Sequence, residues 1–186
     1  MNSVASRESE SIRVRLAQPE DAEKITTVIN SAFRSAEFFF IDGDRVEVGE
    51  VLNFLSSGKF LLAESEDTLL GCVYVEPGYL DSNRSSGQSE AESQAHAYLG
   101  LLAVSPGAQQ SGLGSMLMDA AEDYCRALGL RVMDIKVVNL REELVGFYRK
   151  RGYVETGTSA FPAEVVTKLP CHFIDMSKPL DADKTT

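Results

Sequence analysis

Apolar and polar positions along the chain follow two periods, one of two residues and one of about 3.6. "IRVRLA" (12–17) alternates as a half-buried strand does. In "QPEDAEKITTVINSAF" (18–33), Ile25, Val28, Ile29, Ala32 and Phe33 recur at helical spacing behind acidic first-turn residues. "EVGEVLNFL" (47–55) predicts a second helix that stops near Gly58. "KFLLAES" (59–65) and "TLLGCVYVE" (68–76) read as two strands of a hairpin joined by a short acidic turn. "AHAYLGLLAV" (95–104) is apolar enough for a buried central strand. The next helix carries Leu113, Met116, Leu117, Ala120, Ala121, Tyr124 and Leu128 on one face and ends at Gly129. "RVMDIKVV" (131–138) is a strand, and "NLREELVGFYRKRG" a short helix with Asn139 as N-cap and Glu142 three residues on. "YVETG" and "CHFIDMSK" (171–178) close the pattern as strands. Strands alternating with helices predict one α/β domain over 12–178, with flexible tails at 1–11 and 179–186.

Composition narrows the class without naming a function. Of 186 residues, 44% are hydrophobic and 25% charged, the balance of a soluble globular chain. No stretch approaches the roughly 18 apolar residues of a membrane span. "MNSVASRESESIR" has no apolar segment of the kind a secretory signal needs. Cys72, Cys125 and Cys171 are odd in number, widely spaced and set among apolar neighbours, and neither His96 nor His172 joins them at a metal-ligand spacing. Free thiols in a reducing, cytoplasmic compartment are expected, and no metal. A formal charge of −10 argues against nucleic-acid binding and is compatible with a cationic substrate. The polar, Gly/Ser-rich run 77–94 reads as a long loop, either disordered or a lid over a site.

The chemistry concentrates in "VSPGAQQSGLGSMLM" (104–118). A helix N-terminus offers unpaired N–H groups and the positive end of its dipole. Gly112 and Gly114 carry no side chains, so an anion can reach the main chain there. Strand, tight turn and glycine-rich helix start form the layout of a phosphate cradle. A P-loop needs a Gly-Lys-Ser/Thr that is absent, and a dinucleotide fingerprint belongs after the first strand rather than late in the chain. By residues alone, a turn that merely caps a helix fits as well.

The stretch resembles the acetyl-CoA loop of the GCN5-related N-acetyltransferase (GNAT) superfamily. That loop reads V-x-P-x-x-Q/R-x-x-G-x-G/A, and Val104, Pro106, Gln109, Gly112 and Gly114 match it in place. "VRLAQPEDAEKITTVINSAF" is similar to the family's first strand and helix, and "FYRKRGYVETG" to its later motif, with Tyr148, Gly152 and Tyr153. "PCHFIDMSKPL" is similar to the closing strand of a subgroup. The resemblance implies a single GNAT-like domain: a mixed, mostly antiparallel sheet flanked by helices, with strands 95–104 and 131–138 splayed to hold acetyl-CoA. It implies acetyl transfer to a primary amine by direct attack, the acceptor being a small molecule or a peptide, and a monomer or homodimer.

The same resemblance distributes roles. Backbone groups of Leu102, Ala103 and Val104 would hold the pantetheine arm, and an N–H near Leu102 would polarise the thioester. Gln109, and amides from Gln110 through Ser111, Gly112, Leu113 and Gly114 to Ser115, would hold the pyrophosphate. Tyr148 would protonate the leaving thiolate, a role a neutral phenol suits. By spacing alone, Tyr148 shares a helix face with Leu144 and Phe147 and reads equally as a core aromatic.

Two residues stand where family members carry a general base. Asp134 is one, a mid-strand carboxylate that needs a partner, with Lys136 on its own face as the simplest. Tyr98 is the other, where a wall role competes with a relay through water. His96 could contribute from the edge. The family's pantetheine-binding asparagine would be Asn139, although Arg141 occupies its usual place and Asn139 lies two residues upstream. The cluster Arg149, Lys150 and Arg151 could reach the CoA ribose phosphate or simply be a solvated helix end. A CoA-binding module without turnover would keep the glycine loop but would not need Tyr148.

Overall fold

A computed structural model describes residues 11–66, 68–79 and 95–180. Seven strands form one sheet: β1 (Arg13–Leu16), β2 (Lys59–Ser65), β3 (Thr68–Pro77), β4 (His96–Val104), β5 (Val132–Val138), β6 (Val154–Ala160) and β7 (His172–Pro179). Their spatial order is β1-β2-β3-β4-β5-β7-β6. Every pairing is antiparallel except β4 with β5. A parallel pair needs a crossover, and the helix between those two strands supplies it. The helices are α1 (Ala22–Glu37), α2 (Val48–Ser57), α3 (Leu113–Ala127) and α4 (Glu142–Lys150). The mixed, mostly antiparallel sheet flanked by helices is the fold the sequence predicts.

Period-two patterning splits the sheet between two cores. On β2, Phe60 and Leu62 pack with α1 residues Ile25, Val28 and Ile29 and with Val51 of α2. Leu61 and Ala63 point the other way, toward Leu113, Leu117 and Ala121 of α3 and Val145 of α4. A strand buried on both faces reads as a continuous apolar run, and β2 does so from Phe60 to Ala63, after which the buried Glu64 is paired with Arg15. The long buried carboxylate of Glu122 on α3 is neutralised by Lys178 of β7, whose Nζ donates to both of its oxygens at 2.7–2.8 Å.

Some boundaries differ from the sequence reading. α1 continues past Phe33 to Glu37, because Arg34, Ala36 and Glu37 are all good helix formers. α4 begins at Glu142 with Arg141 as its N-cap, not Asn139. The Asn139 N–H donates to the His172 carbonyl at 3.0 Å, and its Oδ1 accepts the His172 N–H at 2.9 Å. Pairing with β7 has taken the residue that was to cap the helix. The domain also extends past 178: Pro179 pairs with Val132, and Leu180 is buried with its N–H on the Arg131 carbonyl. Residues 1–10, most of the 77–94 loop (80–94) and the end from 181 lie outside the described residues. Cys72 and Cys125 are buried, as expected, while Cys171 is half-buried, and all three are free thiols.

Candidate active site

The site begins with a defect in β4. Leu99 packs against α3 and Leu101 against α1, although two residues apart on a strand should share a face. The reversal comes from a bulge: opposite the step from Cys72 to Tyr74 on β3, the β4 partners jump from Ala103 to Gly100. Leu101 takes φ +48° there. The parallel pairing of β4 with β5 stops at the same place, covering only His96–Leu99 against Val132–Ile135. Beyond it the β5-facing edge of β4 has no strand partner among the described residues. This is the splay expected from the sequence.

Two cavities open along that gap. One of about 210 Å³ is lined by Phe33, Glu37, Arg45, Tyr98, Arg141 and Tyr148, among others. The second, of about 230 Å³, runs past Leu102, Val104, Gln109 and Gly114. Phe33, Leu102, Arg141, Leu144 and Tyr148 line both. The two spaces therefore adjoin, and Tyr148 stands at their junction.

The glycine loop is tied to itself, and among the described residues no backbone carbonyl accepts the amides of Gln110–Ser115. Gln109 Nε2 donates to the Val104 carbonyl at 3.2 Å, and Ser111 Oγ to the Ala108 carbonyl at 2.7 Å. Gln110 (φ +63°) and Gly112 (φ +85°) turn the chain into α3. The first helical amide to find an acceptor is Met116, on the Gly112 carbonyl at 3.0 Å. The N–H groups of Leu113, Gly114 and Ser115 precede it and are the unpaired donors of a helix start. A Cβ on Gly114 would meet nothing nearer than Val104 at 3.9 Å, so the backbone there is open to the cavity. The side chains of Ala103 and Leu113 are buried in the two cores, so both can serve a ligand through the main chain only.

Tyr148 is buried, and its ring is held edge-on between Phe147 (5.3 Å) and Tyr153 (5.7 Å). No hydrogen bond reaches its hydroxyl among the described residues. Burial pushes its pKa up to about 12, with Arg141 and Arg151 pulling the other way. The phenol is thus protonated across the physiological range. Tyr98 lines the first cavity, its ring 4.9 Å from that of Tyr79. Burial raises its pKa, helped by Tyr79, while Arg45 opposes the shift. A phenol held neutral has a proton to donate and no charge with which to act as an anionic base.

Asp134 and Asn139 are placed elsewhere than expected. Asp134 lines neither cavity. Its Oδ2 lies 2.7 Å from His96 Nδ1 and its Oδ1 accepts the Ser177 hydroxyl, so it joins β5 to both neighbouring strands. Asn139 lines neither cavity and is bound to the start of β7, while Arg141 lines both. Arg149 and Arg151 form ion pairs with Glu155 and Asp119. Glu37 and Arg45 were not anticipated. They come from α1 and the segment after it, where no motif marks them.

Residues 25–153 match the profile of the acetyltransferase (GNAT) family. The chain belongs to this family. The GNAT fold is also found in solved structures of low identity. A protein of Salmonella typhimurium, solved with its cofactor acetyl-CoA, is 20% identical (TM-score 0.67, covering 95% of this chain and 98% of that one). A ribosomal-protein-alanine N-acetyltransferase of Brucella melitensis is 17% identical (TM-score 0.69, 90% and 99%). An N-acetyltransferase of Staphylococcus aureus is 15% identical (TM-score 0.67, 92% and 99%). No curated protein sequence matches the chain. Among the described residues, no group of His, Cys, Asp or Glu could hold a metal ion, and no helix is long and apolar enough to cross a membrane.

Proposed function

We propose that this GNAT protein transfers the acetyl group of acetyl-CoA to a primary amine by direct attack. The observation that carries the reading is Tyr148 at the junction of two adjoining cavities, one beside the glycine loop and one open to α1 and α2. The loop cavity would take acetyl-CoA, with the unbonded amides of Gln110–Ser115 on the pyrophosphate and the unpartnered edge of Leu102–Val104 along the pantetheine. The other cavity would take the acceptor.

The chemistry assigned to the chain's own groups is short. The neutral amine attacks the thioester carbonyl; a C–N bond forms and the C–S bond breaks. Tyr148 gives its proton to the leaving thiolate and regains one from solvent, to which the amine loses its own. Because burial holds the phenol protonated, its proton is available at the moment the thiolate departs. Backbone N–H groups at the β4 bulge are suited to stabilise the developing oxyanion.

Thiol release from acetyl-CoA over a panel of primary amines tests the reading, with Tyr148→Phe as comparison. Sustained release with at least one amine, reduced about a hundredfold or more in the variant, is the expected result. Tight acetyl-CoA binding with no release for any amine would instead indicate a CoA-binding module without turnover.

A further inference from the structure

Glu37 ends α1 with its side chain in the acceptor cavity. The residue is 5% exposed, yet no hydrogen bond or ion pair reaches its carboxylate among the described residues. Burial raises its pKa, and only the more distant charges of Arg45 and Arg141 oppose that. A buried carboxylate is ordinarily paired, because desolvation penalises a lone charge. Arg45 presents the complementary case in the same cavity. Its guanidinium lies 5.5 Å from the centre of the Phe33 ring and forms no ion pair among the described residues. Its position is built: Asn30 Oδ1 accepts the N–H groups of Arg45 and Val46 at 2.8 and 3.0 Å, and Asn30 Nδ2 donates to the Val46 carbonyl at 2.9 Å. Arg141, the other guanidinium there, is already bonded to Glu143.

One wall thus offers an anion and a cation that satisfy no partner and do not satisfy each other. We propose that the acceptor is a small zwitterion, a free amino acid or a close relative, whose ammonium is recognised by Glu37 before it loses a proton to solvent and attacks, and whose carboxylate is recognised by Arg45. This rests on the acetyl-transfer reading above. A peptide N-terminus lacks the adjacent carboxylate and leaves Arg45 unanswered. The rest of the lining sets Phe33, Tyr98 and Leu144 beside the cations Lys136 and Arg141, and its apolar part favours an apolar or aromatic side chain. A cavity of about 210 Å³ suits a molecule below drug size.

The test is kcat/KM for acetylation of the common amino acids, their carboxamides and the amines formed by removing the carboxylate, all with acetyl-CoA. The best acceptors should carry the carboxylate, and each should lose about tenfold or more as its carboxamide. Arg45→Gln should bring that acid-to-amide ratio toward one, chiefly through the acid's KM, with an unchanged unfolding temperature. Glu37→Gln should raise KM for acids and amides alike. Equal rates for acids and amides, or an acid-to-amide ratio that survives Arg45→Gln, would overturn the zwitterion proposal while leaving acetyl transfer standing. No thiol release with any amine would remove the acetyl-transfer reading itself, and this inference with it.

Discussion

The ring of Tyr98 lies so close to Gly100 that a methyl group at position 100 would stand 2.7 Å from it and 2.9 Å from its hydroxyl. The glycine is what lets the ring fold back along β4 into the acceptor cavity. Gly100→Ala must push Tyr98 aside, against Tyr79. The expected outcome is a folded protein that binds acetyl-CoA normally and shows an acceptor KM raised by on the order of tenfold. Tyr98→Leu in the same background relieves the clash, so the two substitutions should couple rather than add. Steady-state kinetics of the double-mutant cycle measures this directly.

Tyr148→Phe removes a hydroxyl that no described residue bonds, so it should leave stability within about 0.5 kcal/mol of wild type. Its cost should fall on kcat, by roughly a hundredfold or more, with little change in acetyl-CoA affinity. Because the phenol is held up to about 12 and acts only when protonated, the wild type should show no alkaline fall in kcat from this group up to about pH 10. A fall beginning near neutrality, absent in Tyr148→Phe, would contradict its role as the acid.

Burial also sets the alkaline limit of the fold. Tyr148 is raised from 10.0 to about 12, Cys72 and Cys125 from 9.0 to about 12, and Tyr74, Tyr98 and Tyr153 are raised further, all chiefly by desolvation. A raised native pKa means the unfolded chain gives up its proton first. Stability from these groups is complete below about pH 9, where both states are protonated, and is lost as pH rises toward 12. An alkaline titration should show the four phenols ionising together with unfolding. Smooth ionisation of those tyrosines in a still-folded protein would contradict their burial.

Asp134→Asn distinguishes a structural carboxylate from a base. Its bonds to His96 and Ser177 hold β4, β5 and β7 together below the splay. Their loss should cost about 1–3 kcal/mol of stability, measured by denaturant unfolding. Turnover at a temperature where the variant is folded should stay within about threefold of wild type, far from the hundredfold scale of a lost general base.

The sequence carried the fold because its signals are local. Ile25, Val28 and Ile29 mark a helix face, Phe60 to Ala63 mark a strand buried twice, and both are visible in a few residues. The glycine loop was legible for the same reason: Gly112 and Gly114 sit within one turn of the helix they open. Tyr148 was named only by its resemblance, since its spacing is that of a core aromatic, and it is indeed buried. Asn139 misled because its real partner, His172, lies on a strand far along the chain. The partners of Asp134 were not legible because His96 and Ser177 meet it only across the sheet. Glu37 and Arg45 left no trace, because what sets them apart is the pairing they lack in three dimensions.

The central claim is that the glycine loop binds acetyl-CoA, and calorimetric titration of wild type and Gly114→Asp tests it most directly. Position 114 is the right probe: its backbone is unstrained and its space open, whereas Gly112 sits at φ +85° and any side chain there would strain the fold. An aspartate in the first turn of α3 also favours the helix dipole, so the variant should be at least as stable as wild type. Wild type should bind acetyl-CoA, and Gly114→Asp, with an undiminished unfolding temperature, should bind it about a hundredfold more weakly or worse. Equal binding by the two proteins, or none by either, would contradict the central claim.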